Sequence, residues 1–500
     1  RFAPQYVTKK EKCFMKKFLS VTLSLLLAAS MPLSALAETY DLAQGSITVE
    51  AKADGNQYVS QTGGVQQEQQ TTETVINQTD SNTTSTTNTI TIQAEKNQTA
   101  QVTISDVNID VSSEDKAAIS TGGDGSVTIE LDGDNTAKSG YNHAGVEKNN
   151  GGNLTITDAD GDGALNANGG SYGAGIGGGY AGNAKNIIIR GHSKVKATAR
   201  DGAAIGGGSA GWGSYYGGSA KGIVICDHAT VAARSDMGHG AAIGAAGDNG
   251  KDTEAEVTIG TAGATAEQED VHVTATGFCG SAIGNGAKDT KVTIQGHSTI
   301  RMESQRENST AIGSKDGNVE VNIKDNVTID AKDEGTSIRY EGGGSGIGGG
   351  DIRGDSNRKV VVNIDGGTNG KVKIGDYIEI FGKYGAISAT EVNIGNNVLL
   401  KMIPWKSPDD KYINVNGAEA AVGTRNNPTA GGLVNTIGDN TELWYYSKGR
   451  LQKIVHGKNV CTKNEINRQE PTCTEEGWVK YGCTYESNNN AAYPEHTEQW

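Results

Sequence analysis

Two short stretches of this 500-residue chain carry side chains whose type and spacing suit chemistry. In Asp158-Ala159-Asp160-Gly161-Asp162-Gly163 the carboxylates alternate as at the opening of a calcium loop, where oxygen ligands converge on a hard cation. The residue that should close such a loop with a bidentate Glu is Gly169, and no flanking helices are expected. Asp and Gly are also what a turn between strands needs, so the plain turn is favoured, and Asp158, Asp160 and Asp162 stand as candidate calcium ligands. The second stretch, Gly211-Trp212-Gly213-Ser214-Tyr215-Tyr216-Gly217, concentrates aromatic rings in a chain that is only 5% aromatic. Exposed rings of Trp212, Tyr215 and Tyr216 would stack on the apolar faces of sugars, and packing back onto the body is the alternative. Tyr172 and Tyr180, just before, would extend the same surface.

Other matches are weaker. Gly173-Ala174-Gly175-Ile176-Gly177-Gly178 fits the G-x-G-x-x-G pattern of dinucleotide sites, but no helix follows to hold a pyrophosphate, so no cofactor is expected. His192, His228 and His297 occupy similar places and would line up as a row, a candidate metal or sugar site, if those places stack; a polar turn residue is the favoured role. Cys226 and Cys279 are expected to pack as small apolar groups. Cys461, Cys473, Cys483 and His496 lack the close pair of a zinc site, and a Cys473–Cys483 disulfide is the preferred alternative. Arg200, Asp201 and Arg190 are the residues a lyase would use as base and acidic partner, without a convergence that spacing can argue.

The elements that must position these groups are repeats. Gly173-Ala174-Gly175-Ile176-Gly177-Gly178-Gly179 returns as Gly202 to Gly208, Gly240 to Gly244, Gly280 to Gly284, Thr310 to Gly313, Gly344 to Gly350 and Gly385 to Ile387, with fainter copies around Ile119 and Val146. The aliphatic markers from 119 to 387 are separated by 27, 30, 29, 38, 40, 29, 35 and 40 residues, a solenoid-like period near 29 with insertions. Each phrase is followed by an apolar-x-apolar triplet, from Val127-Thr128-Ile129 to Val392-Asn393-Ile394, and in most units by a third short strand such as Val195-Lys196-Ala197. Three strands per turn predict an all-β chain folded as a right-handed parallel β-helix of about nine or more coils. The glycines after each aliphatic residue supply the positive φ of a tight corner, and coils stacked about 4.8 Å apart would make a ladder on the order of 40 Å long.

Bulk properties agree. With 71 Gly and 35% apolar residues the chain lacks material for several globular cores, whereas a thin repeated core suits it. Fifty-nine acidic against 44 basic residues give a net charge of -15, which argues against nucleic acid and is compatible with cation-assisted contact with glycans. Residues 15–37 read as a signal peptide: Lys16 and Lys17, an apolar run from Phe18 to Ala29, and Ala35-Leu36-Ala37 before cleavage near Glu38. Residues 1–14 are expected to be an upstream extension. No other run is long enough for a transmembrane helix. The expected organisation is a strand and polar linker over 38–89, the β-helix over 90–404, a capping region over 405–450 and a truncated Cys-containing module over 451–500.

The glycine phrases, with Tyr40-Asp41-Leu42, Gly45-Ser46-Ile47-Thr48-Val49, Val127 to Asn135 and His143-Ala144-Gly145-Val146-Glu147, resemble the secreted Gly-rich GAGIGGG-repeat proteins of Gram-positive gut bacteria, described as carbohydrate-binding-domain proteins. The resemblance covers 38 to about 400. More loosely the chain is similar to the clostridial β-helix domain that binds polygalacturonate with calcium, which implies glycan binding without cleavage; none of that domain's ligand residues carries over. The tail, Pro471-Thr472-Cys473-Thr474-Glu475-Glu476-Gly477 and Tyr481-Gly482-Cys483, looks like the Cys modules of Gram-positive surface proteins, with Glu486 where a second cysteine would stand. The expectation is therefore a secreted or cell-surface, adhesin-like β-helix that binds polysaccharide without catalysis, possible calcium included. The alternatives are a polysaccharide lyase or hydrolase on the same scaffold and a structural spacer.

Overall fold

An apolar-x-apolar triplet sends two side chains to one face of a strand and one to the other, and each such triplet becomes a strand of a single sheet. The computed structural model describes residues 38–63, 69–71, 73–211, 217–247, 252–304, 310–333, 346–349, 358–375, 387–401 and the strands and turns at 422–423, 434–447, 450–456, 462–469, 478–484 and 496–499. Val127 stands opposite Leu154, and the column continues through Ile187, Ile223, Val257, Val292, Val321, Val362 and Val392, all in parallel register. This first sheet has thirteen strands; the sheet of glycine phrases has fourteen and the third sheet twelve. Consecutive strands go to different sheets and return one coil later, which makes the molecule an all-β parallel β-helix. Among the described residues the single helical element is the 3-10 turn Leu42–Gln44, and no helix is long and apolar enough to cross a membrane.

The aliphatic residue of the glycine phrase is the inward rung of the second sheet. Ile176 lies between Val146 and Ile205, and the column runs on through Ile243, Ile283, Ile312 and Ile347 to Ile387. It extends beyond the phrases legible in sequence, to Ile90 and Ile47 at one end and Val422 at the other. From Ile47 to Ile387 these rungs are between 0 and 1% exposed, so each contributes about 1.5–3 kcal/mol of burial. The glycine after the rung is required. Gly177, Gly206 and Gly244 have φ of 141, 144 and 142°, and a Cβ on each would lie 2.0, 1.8 and 2.1 Å from the carbonyl oxygen of the corresponding glycine on the next coil.

In the third sheet Leu165, Val195, Val231, Val273, Ile300 and Ile329 form one inward column. Two residues later the column is Ala167, Ala197, Ala233, Ala275 and then Met302. Small side chains suit it because the glycine phrases approach closely: a Cβ on Gly175 would be 3.0 Å from the Ala167 carbonyl oxygen. In the coil after Met302 it is Ile329 that faces Ile300, while Val327 faces Ser298, two residues out of step with the earlier triplets.

Two expected boundaries change. The polar linker over 66–89 contains strands Gln69–Thr71 and Thr74–Asn77, the latter paired between Glu38–Asp41 and Thr99–Ser105. Ile76 and Thr74 are fully buried there, and Gln57 Nε2 donates to Thr74 Oγ1 at 2.7 Å, so a polar sequence still fills a coil. In the expected capping region, Val434–Ile437 and Thr441–Ser447 add parallel strands to the first and third sheets. Only then does Arg450–His456 fold back antiparallel on Thr441–Ser447. At the other end the antiparallel strand Gln57–Gln61 covers the edge of Ile47–Ala51, the protection an open sheet edge needs. Thr462–Gln469, Trp478–Thr484 and His496–Gln499 form a separate three-stranded antiparallel sheet.

Candidate functional site

Where the third sheet turns toward the glycine sheet, successive turns stack without side chains between them. A Cβ on Gly170 would stand 1.8 Å from the Gly140 carbonyl oxygen, so glycine at both places lets the turns touch. The Tyr172 amide then donates to the Tyr141 carbonyl at 3.1 Å, and the Tyr180 amide to the Asn142 carbonyl at 2.7 Å. Three tyrosines from two coils are thereby brought together. Tyr141 and Tyr172 meet edge to face with centroids 4.9 Å apart, and Tyr172 and Tyr180 likewise at 5.7 Å. The Tyr141 hydroxyl donates to the Tyr172 hydroxyl at 3.1 Å, and the Tyr180 hydroxyl to the Ala210 carbonyl at 2.9 Å. Tyr141 is 52% and Tyr180 53% exposed, although the hydrogen bonds hold both rings in place.

Polar groups border the rings. His143 Nδ1 lies 2.7 Å from Glu147 Oε2, and His143 Nε2 lies 3.6 Å from Asp115 Oδ1. The Ala144 amide and Asn149 Nδ2 also donate to Glu147, at 3.1 and 3.0 Å, and Asn142 Nδ2 donates to Asp115 at 3.2 Å. Arg200 Nη1 donates to Ser171 Oγ at 3.2 Å on the neighbouring turn. Rings held rigidly with hydrogen-bonding groups at their margin are what a sugar requires, apolar contact for its face and partners for its hydroxyls.

Trp212, Tyr215 and Tyr216 lie outside the described residues. The ends of their insertion are described: Ser209 and Gly217 form an antiparallel bridge, the Ser209 amide donates to the Tyr172 carbonyl at 2.7 Å, and Gly211 faces the Tyr172 ring. The insertion therefore leaves the body beside the tyrosines. Tyr172 and Tyr180 lie on one surface with Tyr141, and the sequence does not mark Tyr141, Asp115, His143 or Glu147 as site residues. The signal that could have found them is the alignment of Tyr141 with Ser171-Tyr172 once the turns before Ala144 and Ala174 are overlaid.

Asp158, Asp160 and Asp162 come together, with one carboxylate oxygen of each within 4.8 Å of the others. Asp158 is fully buried, and its two oxygens accept from the Gly161 and Gly163 amides at 2.8 and 2.9 Å, which is the bonding of a turn. Asp160 and Asp162 are exposed. The hydrogen bond and like charge of Asp160 push the Asp162 carboxyl above its usual range, and burial does the same to Glu130, which accepts from the Ala159 amide at 2.7 Å.

Of the groups considered for lyase chemistry, Arg190 and Asp201 stand at opposite ends of strand Lys194–Ala199. Arg190 Nε donates to Asp227 at 3.1 Å, while Asp201 is 4% exposed with its carboxyl pushed up by burial. The G-x-G-x-x-G match is rung and corner: Ile176–Gly177 is a two-residue strand of the second sheet. Cys226 and Cys279 are half-buried rather than fully buried. Cys461 and Cys473 lie outside the described residues, as do the side chains of Cys483 and His496. Comparison of the chain with family models, with curated proteins and with solved structures finds no match in any of the three.

Proposed function

We propose that this protein is a secreted or cell-surface, adhesin-like β-helix that binds polysaccharide without cleaving it, through the tyrosine surface of Tyr141, Tyr172 and Tyr180. The observation that carries the reading is the half-exposed pair Tyr141 and Tyr180, each held edge to face against Tyr172. Hydrophobic residues left this exposed on a rigid scaffold mark a contact surface. The insertion bearing Trp212, Tyr215 and Tyr216 starts beside them, at Gly211. Calcium at Asp160 and Asp162 would assist binding of an acidic glycan by bridging carboxylates.

The test is a glycan array followed by pull-down on the polysaccharides that score, polygalacturonate included, with and without chelator. Retention lost in the Tyr141→Ala/Tyr180→Ala variant supports the reading. No retention on any polysaccharide, or retention unchanged in that variant, rejects it. Release of unsaturated sugars from pectin, or of reducing ends from the retained glycan, would make the protein a lyase or hydrolase instead.

A further inference from the structure

At the opposite end of the third-sheet strands, where the chain arrives from the first sheet, two of the three histidines noted in sequence do stack. The His228 amide donates to the Gly191 carbonyl at 3.0 Å and the Thr230 amide to the Ser193 carbonyl at 2.9 Å, so His192 and His228 are in register on adjacent coils. Their rings lie face to face with centroids 4.7 Å apart and planes 23° from parallel. Ser193 and Ala229, the next residues, are fully buried and pin both backbones. The third histidine does not join them. The Asp270 amide donates to the Asp227 carbonyl at 2.8 Å, so Asp270 follows His228 in the column and separates it from His297.

The stacked pair differs from His143, His272 and His297 in what its ring nitrogens do. His143 is engaged by Glu147, His272 by Asp270 at 3.2 Å, and His297 by Asn326 at 3.1 Å. No ring nitrogen of His192 or His228 has a protein partner among the described residues. Two imidazoles fixed one strand spacing apart, both reachable from solvent and both with nitrogen lone pairs unspent, make half of a tetrahedral coordination sphere. On the preceding coil, His192 is held by the Asp158 carbonyl, which accepts from its amide at 2.8 Å. Gly161 packs against it as well, since a Cβ there would lie 3.5 Å from His192 Cβ.

We propose that His192 and His228 form a two-imidazole surface site for a divalent transition-metal ion such as Zn2+ or Ni2+. Imidazole nitrogen selects these ions over Ca2+, which prefers an all-oxygen shell. Two protein ligands leave the remaining positions of the shell to water. Since both rings are at the surface, rotation about their side-chain bonds from the stack to a converging pair meets no packed core.

The experiment is isothermal titration of the full chain with Zn2+ and, separately, Ni2+, against the His192→Asn/His228→Gln variant. The expected result is one fewer bound equivalent in the variant, unchanged circular dichroism, and no competition from millimolar Ca2+. With Cu2+ as spectroscopic probe, the wild type should show coupling to two imidazole nitrogens that the double variant lacks. Equal stoichiometry and affinity in wild type and double variant, or displacement of the ion by Ca2+, would overturn the proposal.

Discussion

Gly244→Ala tests the corner that makes the coil possible. Gly244 follows the rung Ile243 with φ of 142°, a region in which a side chain costs about 1–3 kcal/mol of backbone strain. The new methyl would also stand 2.1 Å from the Gly284 carbonyl oxygen and 3.0 Å from its nitrogen. That carbonyl cannot retreat freely, because it accepts from the Ala245 amide at 2.9 Å. Relieving the overlap therefore adds about 1–3 kcal/mol of overpacking or breaks a hydrogen bond worth about 1 kcal/mol. The total is on the order of 4 kcal/mol. Gly263→Ala is the control: its φ is 69°, and a Cβ there meets nothing within 4 Å, so only about 1 kcal/mol is expected. Because solenoids open coil by coil, the assay pairs urea unfolding with amide exchange. Exchange at Ile243, Ala245 and Asn285, whose amides donate to the next coil, should accelerate in Gly244→Ala and stay unchanged in Gly263→Ala. Equal losses of stability in the two variants, or unaltered exchange at those amides, would refute steric exclusion as the reason for glycine.

Two further predictions concern titratable groups that packing shifts. Lys148 is 5% exposed and donates to the Asn150 and Gly152 carbonyls, and burial lowers its ammonium to about 8. The unfolded chain then holds the proton longer than the folded one, so the penalty is fully present below pH 8. Stability should rise between about pH 8 and 10.5, by at most about 3 kcal/mol because the two carbonyl bonds favour the ammonium; a wild-type unfolding series with the same rise in Lys148→Met would contradict this. The Cys226 thiol is pushed up to about 12, first by burial and then by the Asp227 carboxylate. It should resist iodoacetamide at pH 8 in the native protein and react after unfolding, as followed by peptide mass spectrometry; rapid native labelling would contradict the burial.

Most of the fold is legible in the residues themselves. A rung such as Ile205 sits on Ile176 and under Ile243 because each coil repeats the same alternation, so the period assigns its neighbours without knowledge of the loops. The same logic identifies Gly206 and Gly244 as corners. It falters where composition is polar, as at Thr74–Asn77, since threonine and glutamine can fill a coil when their hydrogen bonds close within it. The first and third sheets also run past the expected boundary at 404.

What the tertiary structure alone decided lies on the outside of the coils. Turn residues face water and obey no alternation, and insertions of different length set which of them end up adjacent. Thus Tyr141 meets Tyr172, and Asp115 and Glu147 close on His143 from different turns. In the histidine row, His192 stacks on His228, yet the next coil carries Asp270 at the equivalent position and so separates the pair from His297. Inward positions are dictated by burial, which sequence periodicity records. Outward neighbours depend on loop lengths, and only the closed coils reveal them.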